Sequence, residues 1–94
     1  MIELGGNIKL KGFTELDAAT LIVIKKIVGN YTKKLTQSNA DFKELLLDLN
    51  KEKDKFKLNV NFVKESGELK SNAEGKNLFF TLSAALDDIS KAKN

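Results

Sequence analysis

The sequence predicts an α+β domain: a two-layer β-α-β-β-β-α sandwich in which a four-stranded mixed sheet carries two helices on one face. Three features of the 94 residues carry that expectation. Apolar and polar residues alternate before residue 13 and again between residues 42 and 73, two other segments space their apolar residues as helices do, and the segments come as strand, helix, three strands, helix. With 41% apolar residues and neither cysteine nor proline, the chain has material for one core and no covalent staple, so residues 1–94 are read as a single domain.

In MIELGGNIKLKGF, residues Ile2, Leu4, Ile8 and Leu10 fall on one side, and Gly5-Gly6 reads as a bend within a single strand. Helix signals follow. Thr14 is placed as N-cap, with Glu15 and Asp17 in the first turn where the helix dipole favours acids, and the helix should run to about Thr36. Its apolar stripe comprises Leu16, Ala19, Val23, Ile24, Ile27, Val28, Tyr31 and Leu35. Lys25, Lys26, Gly29, Thr32 and Lys33 lie opposite, Lys34 is near the final turn, and Leu21 and Ile22 fall on or beside the polar side.

FKELLLDLNK turns Leu45, Leu47 and Leu49 inward, and KFKLNVNFVK does the same with Phe56, Leu58, Val60 and Phe62. GELKSNAEG offers Leu69, Ser71 and Ala73, whose small side chains leave room for a helix above them. A first hairpin centred on Glu52-Lys53 would pair Leu49 with Phe56 and Asp48 with Lys57; a second centred on Ser66-Gly67 would pair Phe62 with Ser71. The last segment, capped by Asn77, gathers Leu78, Phe79, Leu82, Ala85, Leu86, Ile89 and Ala92 on one stripe, with Phe80 away from it. The first two strands should be parallel through a right-handed helical crossover, and the last three antiparallel.

The missing residue types exclude whole classes of chemistry. Without histidine or cysteine there is no Ser-His or thiol nucleophile and no zinc-finger ligand set. The glycines form no P-loop or dinucleotide pattern, and Asp87 and Asp88 diverge by about 100° on a helix, so they make no carboxylate dyad. The expectation is a non-enzymatic protein with no cofactor, no metal and no small-molecule substrate. No apolar run approaches the roughly 20 residues that span a bilayer, and MIELGG alternates like a strand rather than forming a signal sequence. A cytoplasmic protein with no membrane partner is expected.

The net charge of +3 is unevenly spread. Residues 38–77 balance eight lysines with eight acids and residues 78–94 are neutral, so the whole excess lies in residues 1–37. Every basic residue is lysine, which contacts phosphate as a point charge and lacks the bidentate fork that reads guanine. The outward positions of the central strands, Lys55, Lys57, Asn59, Asn61, Lys70 and Asn72, include no ring on which a base could stack.

The order of elements and the segment GELKSNAEGKNLFFTLSAALDDISK resemble the ribosome hibernation-promoting factor family, also known as ribosome-associated inhibitor or sigma-factor modulation proteins. The strand ending in A-E-G passes directly into a helix with the family's cadence at Leu78, Phe79, Leu82, Ala84, Leu86 and Asp87, and VIKKIVGNYTKKL resembles its basic first helix. The resemblance spans nearly the whole chain. It implies binding to small-subunit rRNA and storage or inhibition of idle ribosomes, with Lys25, Lys26, Lys33 and Lys34 of the first helix and Lys91 and Lys93 at the end of the second as RNA contacts. Asp88 stands where relatives usually carry lysine, and LKGFTE replaces their helix-opening proline. A short form, without the dimerising C-terminal domain of the long form, is expected. The alternative is a protein-interaction or oligomerisation domain of the same fold without ribosome binding, using Ile22 and Phe80 or the edge strand for contacts with its own copies or with other proteins.

Overall fold

The computed structural model describes residues 2–4, 7–38 and 40–92. In chain order the elements are β1 (Ile2–Leu4), β2 (Ile8–Lys11), α1 (Ala18–Ser38), β3 (Phe42–Glu52), β4 (Lys55–Lys64), β5 (Gly67–Gly75) and α2 (Leu78–Ala92). They form the expected α+β arrangement, but the sheet has five strands in the order β1-β2-β3-β4-β5 rather than four. The opening segment is two antiparallel strands, with Ile2 opposite Leu10 and Leu4 opposite Ile8. Folding the segment back pairs even positions with even positions, so the alternation of Ile2, Leu4, Ile8 and Leu10 is the same for one bent strand and for two. β2 and β3 are parallel, and all other neighbours are antiparallel.

One apolar cluster lies between sheet and helices. Its fully buried members include Leu10, Leu45, Leu47, Leu58, Val60 and Phe62 from the sheet, Ile24, Val28 and Leu35 from α1, and Leu82, Leu86 and Ile89 from α2. Phe13, also fully buried, anchors the connection from β2 to α1. That connection begins at Gly12, whose φ of 83° favours glycine and where a Cβ would overlap the Leu49 carbonyl oxygen.

Both hairpins keep the expected faces but slip by two residues. Leu49 pairs with Leu58 and Leu47 with Val60, and Phe62 pairs with Leu69 and Val60 with Ser71. Asp48 therefore faces Asn59 instead of Lys57, and the Lys57 ammonium lies 3.3 Å from Glu52. The turns centre on Lys53-Asp54 and Glu65-Ser66, one residue from the expected centres. Lys53 supplies the left-handed conformation with φ of 51°. At the second turn, Ser66 donates from its amide and its hydroxyl to one Asp41 carboxylate oxygen at 3.1 and 2.6 Å, and the Glu65 amide donates to the Asp41 carbonyl at 3.0 Å. Gly67, with φ of 152°, is the residue after this turn rather than part of it.

Asp17 is the cap of α1, not Thr14. Its carboxylate accepts from both the hydroxyl and the amide of Thr20, which lowers its pKa, and its carbonyl accepts from the Leu21 amide at 3.0 Å. Thr14 lies in a turn closed by the Leu16 amide on the Phe13 carbonyl. The later start accompanies a different buried stripe: Ile24, Val28, Thr32 and Leu35 are buried and Leu21 packs on the core, while Ala19 and Val23 are exposed. Thr32 is accommodated because its hydroxyl donates to the Val28 carbonyl at 2.7 Å. In α2 the expected cap holds, with the Phe80 amide donating to Asn77 Oδ1 at 3.0 Å, but Phe79 is 38% exposed instead of buried.

Candidate nucleic-acid interface

Helix α1 contains four lysines and no acidic residue over its 21 positions. Lys25, Lys26, Lys33 and Lys34 are all exposed. At about 100° per residue, Ile22, Lys26, Gly29 and Lys33 form one row on the outer side, opposite Ile24, Val28 and Leu35. Lys26 and Lys33 are two turns apart, roughly 10 Å at about 1.5 Å per residue. Lys25 and Lys34 occupy opposite flanks, about 180° from each other. The four cations are thus a central pair with one outrigger on each side.

Lysines outside α1 are paired with carboxylates. Lys9 is 3.0 Å from Glu44 and Lys70 is 3.6 Å from Glu68 on the sheet, while Lys76 reaches Asp54 at 3.6 Å across the β3-β4 turn. Among the described residues, Lys25, Lys26 and Lys33 form no ion pair with a carboxylate. Lys34 places its ammonium 5.8 Å from the centre of the Tyr31 ring, a cation–π distance.

Tyr31 ties the two helices together. Its hydroxyl donates to Asp87 Oδ1 at 2.5 Å. Because ionisation would lose that donated hydrogen bond and set a phenolate against a carboxylate, and because the ring is partly withdrawn from water, the phenol is pushed up to about 12. Asp88, at the position where lysine was expected by resemblance, accepts from the Ser71 hydroxyl at 3.0 Å and fastens α2 to β5. Both acids of α2 are therefore structural ties. Sequence reading missed these roles because the partners are 56 and 17 residues away, with no local signal.

Of the two remaining expected cations, Lys91 is exposed in the last turn of α2 and Lys93 lies outside the described residues. Ile22 is 56% exposed within the lysine row, and Phe80 is 77% exposed on the first turn of α2, so these two sit on separate helices. The rings of Phe42 and Phe62 stack on each other at 5.2 Å on the core side of the sheet. Among the described residues, no three metal-ligating side chains converge, and no helix is long and apolar enough to cross a membrane.

The arrangement is similar to that of a solved structure, a ribosomal subunit interface protein from Coxiella burnetii, with a TM-score of 0.60 over 90% of this chain and 88% of that one at 11% identity. That similarity shows the fold. No family model and no curated protein matches the sequence.

Proposed function

We propose that the chain is a ribosome-associated, RNA-binding domain of the short hibernation-factor type, which occupies the small ribosomal subunit and stores or inhibits idle ribosomes without performing chemistry. The observation that carries this reading is α1, with four exposed lysines and no carboxylate in the helix. The fold is also similar to that of a protein described as a ribosomal subunit interface protein. Ammonium groups on a rigid helix bind phosphate through long-range attraction and counterion release, which suits rRNA backbone better than base edges. The site is α1-centred, with Lys91 as its described contribution from α2, and its setting is the cytoplasm, where ribosomes are found.

The test is cosedimentation with small ribosomal subunits at low salt. Replacing Lys25, Lys26, Lys33 and Lys34 with glutamine should abolish it while circular dichroism stays unchanged; undiminished cosedimentation overturns the reading. A second reading, protein capture without ribosome binding, draws on the exposure of Ile22 and Phe80 at 56% and 77%. In that case Ile22→Ser and Phe80→Ser, rather than the lysine changes, should abolish complex formation.

A further inference from the structure

The sheet ends on two unlike edges. β1 has three residues, too short to template another strand, whereas β5 has nine and, among the described residues, no strand lies beside its second side. Since Lys64 pairs with Gly67 across a two-residue turn, alternation of the ladder turns the amides and carbonyls of Gly67, Leu69, Ser71, Ala73 and Gly75 to β4. Those of Glu68, Lys70, Asn72 and Glu74 face the free edge. The side chains of these same four residues are exposed. The row continues past the strand to Lys76, also exposed.

Along the edge this row reads acid, base, amide, acid, base. Turned end for end about Asn72, it presents the opposite charge at each charged position. Lys70 meets Glu74, Glu74 meets Lys70, and Glu68 and Lys76 continue the match beyond them. Neighbouring antiparallel registers lack that property: a shift one way sets Glu68 against Glu74, the other sets Lys70 against Lys76, and a further one sets Lys70 against Lys70. We infer that β5 is a self-complementary edge through which two copies of this chain pair antiparallel about a two-fold axis at Asn72, joining their sheets into one of ten strands.

The side chains are free to make the exchange. Glu74 has no ion-pair partner among the described residues. Lys70 holds Glu68 and Lys76 holds Asp54, each only at 3.6 Å and with the lysine side chain largely exposed, surface pairs that contribute little and can be traded for ones across the axis. Inward of the edge, Ser71 would stand opposite Ala73, two small residues that let the strands approach. α1 is the crossover between β2 and β3, away from this edge, so its lysine row remains uncovered in the pair.

Sedimentation velocity of the full chain over a concentration series at low salt tests the inference. Lys70→Glu and Glu74→Lys should each raise the dimer dissociation constant at least tenfold, since each places like charges opposite one another twice. The double variant K70E/E74K should restore dimerisation, and an equimolar mixture of the two single variants should form a heterodimer, because both arrangements re-establish opposite charges. Asn72→Asp, which sets two carboxylates across the axis, should weaken the pair while changing the monomer least. A chain that stays monomeric at millimolar concentration, single variants that associate as the parent does, or a double variant that fails to recover overturns the proposal.

Discussion

Replacing Lys26 and Lys33 together with glutamine should flatten the salt dependence of RNA binding far more than replacing Lys25 and Lys34. The reason is the disposition of the four ammonium groups around α1. A partner approaching the outer side meets the Lys26–Lys33 row and one flank, while the other flank is turned away, so three α1 contacts form at once and set α1's share of the salt dependence, to which Lys91 adds equally in every variant. Each phosphate contact adds roughly 0.7 to 0.9 to the slope of log affinity against log salt, giving about 2 to 2.7 from α1 in the unmodified chain. Across a roughly fourfold rise in salt, this share lowers affinity about 20- to 40-fold. The Lys26→Gln/Lys33→Gln variant keeps one α1 contact, whose share is only about threefold, whereas Lys25→Gln/Lys34→Gln keeps two, whose share is about 7- to 12-fold. Fluorescence anisotropy with a labelled small-subunit RNA over a salt series measures these slopes. Equal slopes for the two variants would mean that the ligand wraps the helix, and an unaltered slope in the central-pair variant would remove α1 from the interface.

Three further outcomes are expected. Tyr31 is the single tyrosine and there is no tryptophan, so absorbance near 295 nm should report its ionisation alone, with a midpoint close to 12 that Asp87→Asn lowers. Because the folded phenol ionises above its ordinary value of 10.0, its contribution to stability is complete below pH 10 and lost as pH rises towards 12. Tyr31→Phe should remove that component from chemical-denaturation curves recorded across the range. Gly29 lies inside α1 with open space around its Cα, so Gly29→Ala should stabilise the fold by about 0.5 to 1 kcal/mol, whereas Gly12→Ala should destabilise it by more than that, as urea midpoints would read. Asp17→Ala should lower the midpoint and Thr14→Ala should leave it nearly unchanged; the reverse ranking would return the cap to Thr14.

Strand faces were legible in the sequence because side-chain direction repeats every two residues, and Leu45, Leu47, Leu49, Leu58, Val60 and Phe62 are all buried as their alternation requires. Register was not legible for the same reason: a slip of two leaves every face unchanged, and neither turn carries a strong hairpin dipeptide such as Asn-Gly. What places the second turn is Asp41 holding Ser66, a contact between residues 25 positions apart. The lysines of α1 were legible as an exposed cationic set, since charge is read directly and an acid-free helix has no internal partner for it. Their division into a central pair and two flanks was not, because the buried stripe shifted once Thr32 proved able to return its hydroxyl to the helix backbone. The fifth strand escaped notice because one bent strand and two antiparallel strands impose the same parity on Ile2 and Leu4; the expected bend at Gly5-Gly6 itself lies outside the described residues.

By itself the sequence determined the class of fold, the order of its main elements, the sidedness of the strands and the confinement of excess positive charge to residues 1–37. All of these follow from local periodicity and composition. Only the tertiary structure decided which charges remain unpaired, that Asp87 and Asp88 serve as ties to Tyr31 and Ser71, and that β5 is left as the long edge of the sheet. Those outcomes depend on groups far apart in the chain meeting in space, and such meetings are selected by the packing of the whole core rather than by any segment's own pattern.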